Sequence, residues 1–340
     1  MKIAVDAMGG DRGSLEIVKG VVAAVSEYNS KIALVGKERM LKEMLDNFKS
    51  AIDLTRIEIL NADEEITMTD TPLAALRHKK KSSITIGINS VKTGDTDCFI
   101  STGNTGAVMA AATIKLGLIE GIERPGIATA LPNSKKSATI LMDVGANVDC
   151  SPIHLLHYGI MGAEYAKVIL NKSEVSLGLL NIGEEDTKGN DLAKASFELL
   201  KRHLDNFYGN VEGRDIFKCK TDVVVCDGFV GNTILKVSEG LAETLFGLIR
   251  EGINQKFLYK AGAFFLKPFF KEFKKTIDYS EYGGAPLLGV NGYCIICHGR
   301  SSSNAIKNAV LVAENIGNKK INEKICERIN KIPSLKKEEE

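Results

Sequence analysis

Short apolar runs alternate along this chain with stretches whose apolar residues recur every three or four positions. β-like runs occupy 3–5, 32–35, 57–60, 98–100, 127–131, 138–142, 175–180, 223–226 and 293–297. Helical spacing marks 15–25, 107–118, 154–170 and 192–204. Strands and helices in alternation predict a mostly parallel sheet covered on both faces. No internal repeat or low-complexity linker divides the chain, so residues 1–330 are expected to form a single α/β/α domain. The charged stretch 331–340 is expected to be a flexible tail.

The rhythm changes between Phe229 and Thr276, where the pattern predicts two long helices broken around Asn254–Lys256 and again near Pro268. We read about 233–276 as a projecting helical hairpin. Its distal part crowds phenylalanine and lysine together, from Phe257 through Phe264, Phe265, Phe269 and Phe270 to Lys275. That composition suits a helix lying in a membrane interface, and equally an aromatic homodimer interface. Both can hold on one hairpin.

With 340 residues, 44% hydrophobic and 26% charged, the chain has the means to bury a large core. A net charge of +1 supplies no global basic field and argues against nucleic-acid binding. No apolar run is long enough to span a bilayer, and Lys2–Asp6 already resembles a strand, so no signal peptide is expected. Seven cysteines in such a chain are expected to be reduced thiols of a cytoplasmic enzyme.

The candidate chemistry lies in loops of glycine and small polar residues that follow the apolar runs. Five stand out: Asp6-Ala-Met-Gly-Gly-Asp11, Ser101-Thr-Gly-Asn-Thr-Gly106, Asp143-Val-Gly-Ala-Asn147, Asp227-Gly-Phe-Val-Gly-Asn232 and His298-Gly-Arg-Ser-Ser302. In open α/β sheets ligands bind at the carboxyl ends of strands, so these loops are expected to build one oxyanion site. Gly103, Asn104, Thr105 and Gly106 present N–H and side-chain donors at a helix start. Asp6 and Asp143 put carboxylates at strand ends, where they orient a neighbour or cap the next turn. Lys188, in Asn181-Ile-Gly-Glu-Glu-Asp-Thr-Lys-Gly-Asn-Asp191, is suited to neutralising an oxyanion. Asn232 is a helix cap or amide donor, and His298 beside Arg300 combines proton transfer with phosphate binding. The Tyr282-Gly-Gly-Ala-Pro-Leu-Leu-Gly-Val-Asn-Gly292 stretch is too glycine-rich to predict regular structure and is expected to be a binding loop or hinge.

Two motifs mislead. Cys294-Ile-Ile-Cys-His298 matches a haem-attachment pattern but lies inside an apolar run, and it lacks a second cysteine pair for zinc. His154-x-x-His157 sits on a helical pattern and is expected to pack or face solvent. Arg77-His-Lys-Lys-Lys81 is a compact basic cluster, either a solvated face or a receiver of an acidic partner or substrate.

In order, these motifs resemble the bacterial phosphate acyltransferase (PlsX) family over 3–317. They are Ala4-Val-Asp-Ala-Met-Gly-Gly-Asp11, 101–107, 143–147, Asn181-Ile-Gly-Glu-Glu185, 227–232, 282–292 and His298-Gly-Arg-Ser-Ser302. The resemblance implies a three-layer α/β/α fold related to phosphotransacetylases and the isocitrate/isopropylmalate dehydrogenases. It implies transfer of a fatty acyl group from acyl-acyl carrier protein to inorganic phosphate, feeding phospholipid synthesis. A homodimer at the inner face of the cell membrane is implied too, handing its product to a glycerol-3-phosphate acyltransferase; no cofactor is expected, and the sequence shows no convincing cluster of metal ligands.

On that footing Lys188, Asn232 and His298 are the catalytic candidates. Asp6, Gly103, Asn104, Thr105, Gly106, Asp143, Asn147, Asp227, Arg300 and Ser301 are the substrate-binding candidates. The competing readings are a short-chain phosphotransacetylase using coenzyme A and a non-catalytic membrane scaffold.

Overall fold

The computed structural model describes residues 1–49, 53–270, 273 and 283–332. The expected tail beyond 332, Tyr282 and the hairpin's distal end therefore lie outside the described residues. Eleven strands form one sheet: β1 (Lys2–Asp6), β2 (Lys31–Gly36), β3 (Ile57–Asn61), β4 (Cys98–Ser101), β5 (Gly126–Pro132), β6 (Ala138–Met142), β7 (Leu177–Leu180), β8 (Phe207–Val211), β9 (Val223–Val225), β10 (Ala285–Leu288) and β11 (Tyr293–Ile296). Their spatial order is β3-β2-β1-β4-β11-β10-β5-β6-β9-β7-β8.

Among the described residues twelve helices connect or follow the strands. They are α1 (Ser14–Glu27), α2 (Glu38–Asp46), α3 (Pro72–His78), α4 (Ser83–Thr93), α5 (Thr105–Leu116), α6 (Pro152–Ile169), α7 (Asp191–His203), α8 (Gly213–Lys218), α9 (Gly228–Gln255), α10 (Phe257–Phe265), α11 (Ser303–Asn318) and α12 (Ile321–Asn330).

Strand alternation sorts the core into two layers. Ile3 and Val5 join residues of α1, α6, α7, α11 and α12 on one face, while Ala4 and Phe99 join α3, α4 and α5 on the other. Both faces of the central strands are covered, which explains their near-continuous apolar runs. The expected three-layer α/β/α architecture holds.

The sheet is mixed at its middle. β3, β2, β1, β4 and β11 are mutually parallel, and so are β6, β9, β7 and β8. Between them β10 runs antiparallel to β11, β5 antiparallel to β10, and β6 antiparallel to β5. The two parallel blocks therefore point in opposite directions.

β10 corrects the reading of 282–292 as an irregular loop. Its Leu287 and Leu288 are buried against Ile127 and Gly126 of β5, and the glycines fall at its ends, with positive φ at Gly283, Gly284 and Gly289. Burial of the Pro286-Leu-Leu288 core outweighs the local cost of glycine. β8 was also not foreseen, because its Phe207-Tyr-Gly-Asn-Val211 is half exposed at the sheet edge.

α9 and α10 realise the hairpin's first part, with the break at Lys256 as expected. The hairpin begins earlier than 233, because Asp227 caps α9 by accepting the Val230 N–H at 2.9 Å. A Cβ at Gly231 would stand 1.8 Å from the Asp143 carbonyl oxygen, so only glycine lets α9 lie this close to the end of β6.

Candidate active site

The loops after β1, β4 and β11 converge, because those three strands are parallel neighbours. Asp6 is buried, and its Oδ1 accepts the N–H groups of Met8 (3.0 Å) and Gly9 (3.3 Å). Its Oδ2 accepts the Ser101 hydroxyl at 2.7 Å, and Ser101 Oγ accepts the Gly103 N–H at 3.0 Å. The third loop is tied in by the Asp11 N–H, which donates to the Gly299 carbonyl at 2.7 Å. Asp6 thus shapes the loops from beneath them.

Asn104 is the N-cap of α5. Its Oδ1 accepts the Ala107 N–H at 3.0 Å, and its Nδ2 donates to the carbonyls of Thr67 and Asp70, each at 3.2 Å. Sequence reasoning expected this amide to face an oxyanion; in the structure both its ends are engaged. The Val108 N–H donates to the Asn104 carbonyl. The N–H groups of Thr105 and Gly106, the first two of α5, have no partner within the helix. They point from the positive end of the helix dipole.

His298 and Arg300 stand exposed on the third of the converging loops. The Arg300 N–H donates to His298 Nδ1 at 3.1 Å, so in the neutral ring the proton sits on Nε2, free to exchange. The Ser301 N–H donates to the His298 carbonyl at 2.9 Å. Among the described residues Arg300 forms no ion pair.

The remaining candidates form a second group at the carboxyl ends of β6, β7 and β9. Asp143 is fully buried, and its Oδ1 accepts the N–H groups of Ile127 (3.0 Å), Gly145 (3.2 Å) and Ala146 (3.0 Å), its Oδ2 that of Asn147 (2.8 Å). Burial pushes the Asp143 carboxyl above the ordinary range, against those four donors. Asn147 Nδ2 donates to the Pro125 carbonyl (2.6 Å) and the Tyr158 hydroxyl (2.8 Å). Asp143, Asn147 and Asp227 therefore brace this group rather than present free donors.

Asn232 is exposed in α9, packed beside Gly145, with no side-chain hydrogen bond among the described residues. The loop carrying Lys188 is held by its own acids: Glu184 pairs with Lys220 (2.7 Å) and Asp186 with Lys201 (3.3 Å). Asn181 donates to the Lys188 carbonyl at 3.0 Å, and the Lys188 side chain is exposed, in no ion pair among the described residues.

All five loops were expected to gather at one carboxyl edge. The reversal through β10 and β5 corrects this: the two groups leave the sheet by opposite edges. Sheets twist by about 20–25° per strand, so opposite edges of a wide sheet need not face back to back.

Sequence reasoning missed Thr102. Its Oγ1 is buried with no hydrogen-bond partner, where a Cβ on Gly10 (φ 94°) would come within 2.7 Å of it and 3.2 Å of the Gly299 carbonyl. It lies at the junction of the three loops; its only signal was its place in the Ser101–Gly106 motif. Of the misleading motifs, Cys294 and Cys297 are buried thiols whose ionisation burial pushes up, Cys297 to about 12. His154 caps α6 and pairs with Glu123 at 3.0 Å, and His157 is buried. Among the described residues no group of three or more His, Cys, Asp or Glu is placed to hold a metal.

The family profile described as fatty acid synthesis protein matches residues 1–324. The chain is 50% identical over 313 residues to the phosphate acyltransferase of Pelotomaculum thermopropionicum, covering 92% of this chain and 90% of that one. It is 48% identical over 333 residues to that of Dictyoglomus thermophilum, covering 98% of each. The chain belongs to the phosphate acyltransferase family.

Its fold is that of a wider group. A phosphotransacetylase from Streptococcus pyogenes superposes with a TM-score of 0.59 at 16% identity, covering 97% of this chain and 94% of that one. A 4-hydroxythreonine-4-phosphate dehydrogenase from Klebsiella pneumoniae superposes at 0.52 and 10% identity, covering 93% and 98%. These likenesses concern fold, and the family assignment rests on the sequence relatives.

Proposed function

We propose that this family member transfers a fatty acyl group from the thioester of an acyl carrier protein to inorganic phosphate. The observation that carries the reading is the anion-receptive corner of the first group. There, two open N–H groups at the start of α5 stand with unpaired Arg300 and with His298. A phosphate oxygen attacks the thioester carbonyl, the new C–O bond replaces the C–S bond, and the thiolate departs with the electron pair.

Thr105, Gly106, Arg300 and Ser301 hold the phosphate in this reading, His298 Nε2–H donates to it, and the proton that the phosphate gives up on attack goes to the departing thiolate. Lys188 and Asn232, the two unengaged polar side chains of the second group, meet the carbonyl oxygen and orient the acyl donor. Asp6, Asn104, Asp143, Asn147 and Asp227 position the loops. The thiolate is a good leaving group, so positioning carries much of the rate and no covalent enzyme intermediate is needed.

The reading extends to the hairpin. α9 exposes Val237, Leu241, Leu245 and Leu248, a face that suits a second copy. α10 exposes Phe257, Phe264 and Phe265 near Lys256 and Lys260, a composition that suits anionic lipid at the cytoplasmic membrane surface. No helix among the described residues is long and apolar enough to cross a membrane, so lipid contact would be peripheral. Release at that surface hands a lipophilic, hydrolysable acyl phosphate to the next acyltransferase.

The test is acyl phosphate formation from palmitoyl-acyl carrier protein, trapped as hydroxamate. Product that depends on added phosphate, and falls at least about a hundredfold in Lys188→Ala, is the expected result. Turnover of palmitoyl-coenzyme A in place of the carrier thioester would overturn the donor assignment.

A further inference from the structure

The turn that backs onto Asn104 carries a surface the reaction does not use. Asn104 Nδ2 holds the carbonyls of Thr67 and Asp70, and a Cβ on Gly106 would stand 2.8 Å from Pro72 Cγ, the first residue of α3. The segment from Thr67 to Lys81 is thereby clamped against the start of α5, beside the phosphate-receptive corner. Two large apolar side chains protrude from it, Met68 at 59% exposed and Leu73 at 54%. Arg77 lies one turn beyond Leu73 on the same helix face, and Lys80 and Lys81 follow, all exposed.

The charges around this patch are divided. Lys79 is consumed by Asp70 at 2.6 Å, and Glu64 Oε2 accepts the Lys81 backbone N–H at 2.7 Å. Asp63 accepts from Asn61 at 3.0 Å; these donors are neutral, so Asp63, Glu64 and Glu65 keep their charge and form an acidic flank on one side of the patch. Arg77, Lys80 and Lys81 form no ion pair among the described residues. An apolar pair bordered by three unpaired cations is complementary to an acidic helix with an apolar ridge, and not to a neutral or basic one.

We propose that Met68, Leu73, Arg77, Lys80 and Lys81 form the docking surface for the acidic carrier protein that delivers the acyl thioester. This rests on the carrier-dependent reading above and deepens it. The clamp through Asn104 means that a carrier seated on α3 has its prosthetic arm beside the α5 N-terminus, so docking and phosphate binding share one rigid element. Cations at the rim act mainly on encounter, so their loss appears in KM for the carrier and in its salt dependence.

The experiment compares wild type with Arg77→Glu/Lys80→Glu/Lys81→Glu and, separately, Leu73→Ser. Each is assayed with palmitoyl-acyl carrier protein and with palmitoyl-pantetheine, a donor without the protein. The expected result is a rise of about tenfold or more in KM for the carrier thioester. KM for phosphate and turnover of palmitoyl-pantetheine should be unchanged, which also shows that the variants are folded. Added salt should raise the wild-type KM and lower the triple variant's, because its three glutamates repel the acidic carrier.

An unchanged carrier KM in both variants, with wild type active on the carrier, would overturn the docking surface alone. Wild type that uses palmitoyl-pantetheine but not the carrier thioester would overturn the carrier reading and the surface together. Loss of binding to anionic vesicles with carrier KM intact would reassign the patch to lipid.

Discussion

Thr102 and His157 are both polar side chains buried without a hydrogen-bond partner, and they call for different explanations. An orphaned hydroxyl costs about 1–3 kcal/mol, so a purely structural Thr102 is better replaced by its isostere valine. Its position between Gly10 and Gly299 suits a hydroxyl that finds its partner only when phosphate arrives. Thr102→Val is therefore expected to raise the thermal midpoint and raise KM for phosphate several-fold, with Thr102→Ser near wild type. A higher midpoint with unaltered KM would leave the hydroxyl no role in binding.

His157 lies in the core of α6, where burial drives its pKa down from 6.5 to about 4. The unfolded chain takes up the proton first as pH falls, so the contribution is fully present above about 6.5 and is lost between about 6.5 and 4. A difference of that size corresponds to about 3 kcal/mol. His157→Leu should flatten this part of the stability curve, measured as urea midpoints between those pH values. An equal slope in the variant would assign the acid sensitivity elsewhere.

At the level of elements, glycines that look alike in sequence do different things. Gly231 and Gly240 both lie in α9, yet a Cβ would meet the Asp143 carbonyl at 1.8 Å at the first and nothing within 4 Å at the second. Gly231→Ala must push α9 off the β6 loop, displacing Asn232 with it, and is expected to lose at least about 3 kcal/mol and most activity. Gly240→Ala relieves backbone entropy in an exposed helix and should gain about 0.5–1 kcal/mol. Chemical denaturation of the pair decides the matter, and equal effects would refute this placement of α9. The same contrast explains β10: Leu287 and Leu288 were visible as apolar residues, but their glycine-rich flanks concealed a strand, and the partners of these two leucines lie more than a hundred residues away in β5.

For the whole molecule, the hairpin sets the core enzyme against a surface. Phe257 and Phe265 are 84% and 80% exposed, more than a soluble helix tip has reason to show. Replacing Phe257, Phe264 and Phe265 with serine is expected to weaken binding to phosphatidylglycerol-containing vesicles at least about tenfold. The dimer expected from α9 should persist by light scattering. Undiminished vesicle binding would place the lipid contact outside α10.

By itself the sequence determined the local elements and the chemistry available to them. Apolar runs such as 98–100 and 138–142 announced buried strands because both faces of the sheet are covered. Asn104 announced a helix start because capping is a matter of a few neighbouring atoms. The motifs in their order sufficed for the family.

Only the tertiary structure decided how those pieces face one another. It committed the Asn104 amide to Thr67 and Asp70, surrounded Asp143 with four N–H donors, and left Thr102 unpartnered. It also split the candidate residues into two groups, because β10 pairs with β5 and so joins two local hairpins, β10–β11 and β5–β6, that lie more than a hundred residues apart in the chain. Strand direction and loop convergence depend on contacts between residues far apart in the chain, and periodicity along the sequence carries no record of them.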